Sequence, residues 1–262
     1  MNASSSASLL EVEHISVRFG GLIAVADLTF GVGEGEIVSL IGPNGAGKTT
    51  AFNAITGYLQ PTSGEVRYRQ QKLTGLKPNQ VAGIGVVRTF QKTSLFAGNT
   101  VFENILIGLH QAGKQTLAGI LFRLPGMRAE ERRLRAQAQE VLEFIGLAHR
   151  SGELASALPY GEQRLLEIAV GLAAGPEMLL LDEPVSGMNP AETADFMKTV
   201  QLIRKRGITI LLVEHDMRMV MGISDRVVVL NQGEVIAEGP PAAIQRDPEV
   251  IRAYLGSGAA RA

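Results

Sequence analysis

The chain contains a glycine-rich segment whose residue types suit the binding of a phosphate group. Residues 42–49 fit the pattern G-x-x-x-x-G-K-[ST], follow an apolar run at 37–41 and precede a helical stretch ending near Gly57. Glycines let successive backbone N–H groups turn toward one anion, and a helix N-terminus adds partial positive charge. The Lys48 ammonium can reach terminal phosphates, and the Thr49 hydroxyl can bind Mg²⁺. The residues expected around the phosphates are Gly42, Pro43, Asn44, Gly45, Ala46, Gly47, Lys48, Thr49 and Thr50.

Two acids follow a second apolar run. Residues 178–181 are Met-Leu-Leu-Leu, and Asp182 and Glu183 come directly after them. Carboxylates in this position lie at the carboxyl end of a parallel strand, where ligands of open α/β sheets bind. Asp182 suits the water shell of a metal, and Glu183 suits polarising an attacking water. A surface turn is the simpler reading of an Asp-Glu pair, but it leaves the preceding strand unexplained.

The pattern of apolar residues predicts the elements that position these groups. Apolar runs at 37–41 (interrupted by one serine), 178–181, 208–213 and 227–230 are typical of parallel strands buried on both faces. Residues 10–30 read as short strands of a small antiparallel sheet. Between about 95 and 158 the spacing becomes helical, which predicts an inserted helical subdomain. The charges at 130–135 mix both signs, so we interpret them as a solvated helix face rather than a nucleic-acid patch.

Composition restricts the possible classes of protein. Of the 262 residues 45% are hydrophobic and 19% charged, which indicates a folded chain, and the net charge of -1 argues against a nucleic-acid partner. The absence of cysteine excludes a disulfide scaffold and a thiolate zinc site. The polar start has no apolar core typical of a secretory signal, and we find no clean apolar stretch of about 18 residues that would span a membrane.

Further motifs follow in an order that resembles the ATP-binding cassette (ABC) ATPases. The sequence Leu-Pro-Tyr-Gly-Glu-Gln at 158–163 lies some twenty residues before Asp182, where the family has Leu-Ser-Gly-Gly-Gln. Gln91 follows a predicted strand at 85–87, Ser-Gly-Met-Asn at 186–189 follows Glu183, and His215 follows the strand at 208–213. The resemblance runs from about residue 10 to 255. It implies an α/β P-loop NTPase cassette with a parallel-sheet core, an N-terminal antiparallel β subdomain and an inserted helical subdomain.

The resemblance also implies boundaries within a single domain at 9–256. The antiparallel region with the contact to the nucleotide base is expected at 10–35, and the RecA-like core at 36–94 and 175–240. The helical subdomain with the signature is expected at 95–174, C-terminal helices at 241–256, and flexible tails at 1–8 and 257–262.

The roles of the family's residues carry over to the matching positions, with ATP and Mg²⁺ as cofactors. Gln91 would contact Mg²⁺ and the attacking water and couple to a membrane partner, and His215 would bind the γ-phosphate. Phe19 would stack on adenine, although a core phenylalanine of a strand is an alternative. The implied catalytic residues are Glu183, His215, Lys48 and Gln91; the implied metal ligands are Thr49, Gln91 and Asp182; the implied signature residues are Tyr160, Gly161 and Glu162.

The signature acts in this family on the nucleotide of a second cassette, and this chain departs from the family pattern around it. Pro159 replaces a serine whose hydroxyl would touch phosphate, and Tyr160 replaces the first glycine. Asn189 replaces the usual aspartate of the loop after Glu183, which removes a charge. The second cassette can therefore be a paralog that supplies the other half-site, or an identical chain.

Several stretches, at 18–25, 85–91, 214–217, 221–226 and 248–256, resemble the ATP-binding subunit of bacterial branched-chain amino-acid importers. This resemblance implies two permease subunits, a second ABC ATPase subunit and, indirectly, a periplasmic or lipid-anchored solute-binding protein. It implies a peripheral location on the cytoplasmic face of the inner membrane. Importers of urea, amides or another small polar solute, and a soluble ABC ATPase without a transport role, remain alternatives. Residues 99–104 would line a docking cleft for the permease or serve as an ordinary helix cap.

Overall fold

The computed structural model describes residues 8–89, 95–112 and 127–259. In chain order its strands are β1 (Leu10–Phe19), β2 (Leu22–Val32), β3 (Ile37–Ile41), β4 (Ser63–Tyr68), β5 (Gln71–Lys72), β6 (Val86–Arg88), β7 (Met178–Asp182), β8 (Thr209–Val213), β9 (Arg226–Asn231) and β10 (Glu234–Gly239). Its α-helices are α1 (Lys48–Ile55), α2 (Pro78–Gly83), α3 (Val101–Ala112), α4 (Met127–Phe144), α5 (Tyr160–Ala173), α6 (Pro190–Lys205), α7 (Met217–Ile223), α8 (Pro241–Ile244) and α9 (Pro248–Ala259).

The first of two compact units comprises Met1–Arg88, Glu177–Pro184 and Val200–Ala262. It contains a six-stranded sheet in the order β10-β9-β3-β8-β7-β6, in which only the β10 edge is antiparallel to its neighbour. Every residue of β3, β7 and β8 is buried, which agrees with the continuous apolar runs of these strands. Because β3, β8 and β7 are adjacent and parallel, their carboxyl ends lie along one edge of the sheet.

The same unit contains a four-stranded antiparallel sheet in the order β2-β1-β4-β5. Sequence reasoning found β1 and β2 but placed β4 and β5 in the range of the core. The pairing explains the difference, since Leu10 lies opposite Tyr68 and Val12 opposite Val66. These cross-strand partners are far apart in the sequence, and burial of Val66 and Tyr68 fixes the register.

The second unit comprises Thr89–Pro176 and Val185–Thr199 and is built around α3, α4 and α5. Its core is formed by apolar side chains at helical spacing, among them Ile105, Ala138, Leu142 and Leu166. The segment Val185–Thr199 belongs to this unit rather than to the 175–240 core predicted from the sequence. The physical reason is contact with the start of α5, where the Tyr160 hydroxyl donates a hydrogen bond to the Ser186 carbonyl.

Two local predictions agree with the helices of this unit. The Glu103 side chain accepts a hydrogen bond from the Thr100 N–H (2.7 Å), and the Thr100 hydroxyl accepts one from the Glu103 N–H (3.2 Å), which is a capping box at the start of α3. On α4, Arg135 pairs with Glu131 at 3.1 Å along an exposed face. The mixed charges of this helix therefore form the solvated face that the sequence indicates.

The final helix, α9, continues to Ala259, three residues into the predicted tail at 257–262. Among the residues described, no helix is both long and apolar enough to cross a lipid bilayer.

Candidate functional site

The loop at 42–47 connects the buried strand β3 to α1 and has a conformation that requires glycine at two positions. Gly42 has a φ of 151° and Gly47, the N-cap of α1, a φ of 103°. A Cβ atom at Gly42 would lie 2.1 Å from the Leu230 carbonyl oxygen, and one at Gly47 would lie 2.4 Å from that of Ala24. The backbone therefore packs directly against neighbouring strands, and the start of α1 opens into the loop as phosphate binding requires.

Lys48 crosses this loop. Its Nζ donates hydrogen bonds to the carbonyl oxygens of Gly42 (2.7 Å) and Pro43 (3.1 Å), and the residue is buried. Burial lowers the pKa of Lys48 below the usual lysine value, while the carboxylates of Glu183 and Asp182 oppose that change. A desolvated ammonium that is hydrogen-bonded to two carbonyls can exchange them for phosphate oxygens.

The two glycines Gly45 and Gly47 allow a matched test of this packing. Gly45 also has a positive φ (82°), but a Cβ there meets nothing within 4 Å. We expect Gly47→Ala to lower the free energy of unfolding by about 1–3 kcal/mol more than Gly45→Ala, because only the former clashes with backbone. Urea unfolding of both variants measures the difference. Equal losses would mean that the close approach to Ala24 is not what holds the loop.

The two acids lie at the end of β7, in the unit that contains the loop. Asp182 is buried, and its Oδ1 atom has no hydrogen-bond partner among the described residues. Glu183 is partly exposed, has the unusual φ of 46° and donates its N–H to the Val213 carbonyl (2.8 Å). A non-glycine residue in the left-handed region is uncommon, and such residues concentrate at functional sites.

These observations fit Mg²⁺ bound mainly by water and phosphate. In the described part of the chain no group of three or more His, Asp or Glu side chains could hold a metal by itself. Mg²⁺ retains several waters and uses one or two carboxylates together with substrate phosphates. A buried carboxylate oxygen such as Asp182 Oδ1 needs a hydrogen-bond donor, and a metal-bound water is one.

His215 follows β8, and the neighbouring residues fix its backbone. Glu214 is fully buried, and its Oε2 accepts hydrogen bonds from the N–H groups of His215 (2.7 Å) and Asp216 (3.1 Å). The Asp216 carboxylate in turn caps α7 by accepting from the N–H of Arg218 (2.8 Å). The side chain of His215 is 59% exposed, so the imidazole is accessible while the backbone beneath it is held by hydrogen bonds.

Phe19 ends β1 beside the Gly20–Gly21 turn. It is 52% exposed, so the alternative reading as a core phenylalanine is wrong. Gln91, the remaining candidate, lies outside the described residues.

The last helix of the chain also reaches the phosphate loop, a feature that sequence reasoning missed. Tyr254 of α9 packs against the buried cluster that contains Ile41, the residue before Gly42. Burial raises the pKa of Tyr254 to about 12, and the backbone N–H of Gly42 facing the hydroxyl opposes that rise. The C-terminal segment thus supports the strand that carries the loop.

In the second unit the signature candidates lie at the start of α5. Pro159 is the N-cap of this helix. The Tyr160 hydroxyl donates a hydrogen bond to the Ser186 carbonyl (2.8 Å) and accepts one from Arg164 Nη2 (2.6 Å). Gly161 is buried, and a Cβ there would lie 3.1 Å from Glu192 Cδ. Glu162 forms an ion pair with Arg150 at 3.1 Å. Tyr160 and Gly161 therefore bind the signature to the 186–192 segment of their own unit.

Asn189 has a local role that the sequence alone did not reveal. Its Oδ1 accepts hydrogen bonds from the N–H groups of Ala191 (2.9 Å) and Glu192 (3.0 Å), and its own N–H donates to Glu192 Oε2 (2.9 Å). This is a reciprocal cap at the start of α6. Asparagine and aspartate are comparable N-caps, so the change of residue keeps the helix start while removing the charge.

Removing the Tyr160 hydroxyl tests the link within the second unit. We expect Tyr160→Phe to lower the free energy of unfolding by about 1 kcal/mol and to speed amide hydrogen exchange at 186–189, because the Ser186 carbonyl loses its donor. Exchange mass spectrometry measures this effect. Tyr68→Phe, which removes a hydrogen bond to Glu177 (2.9 Å) in the other unit, is the matched control and should leave 186–189 unchanged. Unaltered exchange in Tyr160→Phe would contradict the prediction.

A glycine-rich loop after β3, acids at the end of β7 and a histidine after β8, all on adjacent parallel strands of one sheet, are the features of a P-loop nucleotide hydrolase. The family described as ABC transporter matches residues 25–186, and that described as branched-chain amino acid ATP-binding cassette transporter matches residues 234–260. The chain belongs to the ABC transporter family, as one of its ATP-binding cassettes, and is an ATPase of the kind that is coupled to transport. The predicted family, fold class and enzyme class are thereby confirmed.

Similar proteins cover nearly the whole chain. The high-affinity branched-chain amino acid transport ATP-binding protein LivG of Salmonella typhimurium is 48% identical over 96% of this chain and 99% of its own. The corresponding protein BraF of Pseudomonas aeruginosa is 44% identical over the same shares. Among solved structures, the ADP conformation of MJ1267, an ATP-binding cassette of an ABC transporter, matches with a TM-score of 0.84 and 33% identity, covering 95% of this chain and 99% of that one.

Proposed function

We propose that this chain is the ATP-hydrolysing subunit of a branched-chain amino-acid importer. The observation that carries the proposal is the similarity to LivG and BraF, which extends over 96% of this chain and 99% of each relative. The separate match of residues 234–260 supports it, because the matching family is described as a branched-chain amino acid transporter. That segment includes α9, whose Tyr254 packs against the cluster beside the phosphate loop.

Within the proposed site, each residue has a role consistent with its position. The loop backbone and Lys48 hold the terminal phosphates, and Phe19, exposed at the end of β1, stacks on adenine. Glu183 accepts a proton from the attacking water as the phosphoryl group is transferred, and His215 donates a hydrogen bond to the γ-phosphate.

Mg²⁺, when bound, neutralises charge that develops on the phosphates. Thr49, exposed in the first turn of α1, and Gln91 would bind it directly, and Asp182 would hold its water shell.

The partners follow from the same proposal. Tyr160, Gly161 and Glu162 would approach the nucleotide of a second cassette, either a paralog or an identical chain. The helix start at Tyr160 directs a positive dipole end toward that phosphate. Two permease subunits would move with the closing cassettes on the cytoplasmic face of the inner membrane, and a periplasmic or lipid-anchored solute-binding protein would deliver the amino acid. Residues 99–104 combine the observed helix cap with the proposed docking cleft.

The experiment that tests this proposal is capture of the assembled complex. The Glu183→Gln chain, which should retain ATP, is bound with ATP to detergent-solubilised membranes of the host cell, and the co-purified chains are identified by mass spectrometry. Two multi-helix permeases support the importer, and a second small ATPase among them indicates mixed cassettes. Recovery of soluble partners alone would overturn it. Lys48→Ala, which should bind ATP weakly, is the control for nucleotide-dependent assembly.

Uptake measurements in the host cell then test which solute the importer carries. Deletion of the gene for this chain should abolish high-affinity uptake of labelled leucine and leave uptake of labelled urea unchanged, and the wild-type gene should restore it. Loss of urea uptake with normal leucine uptake would replace the branched-chain assignment by the alternative solute class.

A further inference from the structure

Arg88, the last residue of β6, contacts the acidic end of β7 from the neighbouring strand. Its Nη2 donates a hydrogen bond to Asp182 Oδ2 at 2.6 Å. The side chain of Arg88 is only 9% exposed and that of Asp182 only 1%. Such a buried pair is little screened by salt, and removal of either member leaves an uncompensated charge.

The other terminal nitrogen of the same guanidinium, Nη1, is bound at the end of α1, the helix that follows the phosphate loop. Arg88 Nη1 donates to Asn53 Oδ1 (2.7 Å) and Thr56 Oγ1 (3.2 Å). The cation also lies 5.6 Å from the ring centres of both Phe52 and Tyr58. The planar guanidinium therefore has a fixed orientation and joins α1 to β7.

This arrangement gives the two carboxylate oxygens of Asp182 different environments. Oδ2 is bound by Arg88, whereas Oδ1 is buried without a hydrogen-bond partner among the described residues. A carboxylate that could rotate would present either oxygen, but the short bond to Arg88 fixes which one remains available. The available oxygen is the one left to accept a hydrogen bond, and a water of a hydrated Mg²⁺ is a suitable donor.

We propose that Arg88 is a positioning residue that binds one oxygen of Asp182 and thereby aims the other at the water shell of nucleotide-bound Mg²⁺. The inference rests on the proposed role of Asp182 in that shell. Groups that orient a metal-binding side chain from outside typically contribute roughly 10- to 100-fold to metal affinity. Arg88 should therefore affect Mg²⁺-dependent binding of nucleotide much more than binding of nucleotide alone.

The test compares the affinity of the full chain for a fluorescent ATP analogue with Mg²⁺ and with EDTA. The measured quantity is the ratio of the two dissociation constants, EDTA over Mg²⁺. We expect Arg88→Met to reduce this ratio by roughly tenfold or more, with the EDTA value itself little changed, because the aim of Asp182 is lost. Arg88→Lys, which keeps a charge near Oδ2 but not the planar bridge, should restore part of the ratio.

Asp182→Asn should give the smallest ratio of the two dissociation constants. The double variant Asp182→Asn with Arg88→Met should lower this ratio no further, because Arg88 acts through the Asp182 carboxylate that is already lost. The matched control is Arg226→Met. Arg226 is also partly buried and binds the Glu36 carboxylate through Nε (2.8 Å) and Nη2 (2.9 Å), away from Asp182. This control should lower the melting temperature and leave the ratio unchanged.

A lowered melting temperature with an unchanged ratio in Arg88→Met would overturn the inference and leave Arg88 a purely structural ion pair. If Arg88→Met does not fold, Arg88→Lys decides by the same ratio, since it retains the stem and the charge. Failure of the proposed Mg²⁺–nucleotide site looks different, because the wild-type chain itself would then bind the analogue equally with Mg²⁺ and EDTA, or not at all. Failure of the importer assignment would leave the wild-type ratio intact and would show only in the complex-capture and uptake experiments.

Discussion

The Glu183→Gln variant should bind ATP with nearly wild-type affinity and hydrolyse it about 10²–10⁴-fold more slowly in the assembled transporter. Glutamine keeps the size of the side chain and its hydrogen-bonding oxygen, but it cannot accept a proton from the attacking water. Glu183 lies just beyond the end of β7. Its backbone is left-handed (φ 46°), and its N–H donates a hydrogen bond to the Val213 carbonyl. Phosphate release and equilibrium binding of labelled ATP measure the two quantities separately.

Glu177→Gln is the matched control for this prediction. Glu177 lies just before the opposite end of β7 and binds Arg69 (2.7 Å) and Tyr68 (2.9 Å). We expect its replacement to lower stability slightly and leave turnover unchanged. A normal rate in Glu183→Gln would show that another group takes the proton.

The candidate catalytic groups could be located from the sequence because each lies at or just after the end of an element with a strong local signal. The runs that form β3, β7 and β8 are almost entirely apolar, and glycines, acids and a histidine lie at or just after their ends. Adjacent parallel strands bring such residues to one edge without any further information. The electrostatic effect of Glu183 and Asp182 on Lys48 is the consequence of this geometry.

The groups that support the site could not be predicted in this way. Arg88 reaches Asp182 across 94 residues of sequence, and nothing near Arg88 identifies Asn53 as its second partner. The hydrogen bond from Tyr160 to Ser186 is likewise non-local, and nothing in the sequence around Tyr160 indicates it. Local patterns predict which side chains do chemistry, whereas the side chains that orient them depend on the tertiary packing.

The residues that depart from the family signature form contacts within the second unit. Tyr160 and Gly161 contact the 186–192 segment, and Asn189 caps the helix of that segment. The segment that lacks the serine hydroxyl is thus hydrogen-bonded to the loop that follows Asp182 and Glu183 in the chain. In the proposed function, backbone N–H groups and the positive end of the helix dipole at Tyr160 would face the phosphate, and neither needs a hydroxyl at position 159.

The Lys48→Ala variant should bind ATP roughly 10- to 100-fold more weakly than the wild-type chain, because a charge-assisted hydrogen bond to phosphate contributes about 1.5–3 kcal/mol. Its effect on folding should be small, because the substitution removes a desolvated ammonium together with two hydrogen bonds to carbonyls of the loop. Isothermal titration with ATP and Mg²⁺ measures the affinity, and thermal unfolding of the nucleotide-free chain measures the stability.

The pairing of these two measurements is what makes Lys48→Ala decisive. Lys72, which is exposed and paired with Glu65, provides the control: Lys72→Ala should change neither quantity appreciably. If Lys48 served mainly to hold the loop through Gly42 and Pro43, its loss would lower stability and affinity together. We expect instead a loss of affinity with stability retained, since the lowered pKa of Lys48 indicates that burying this charge opposes folding. Unchanged affinity would disprove the assignment of residues 42–49 as the phosphate loop.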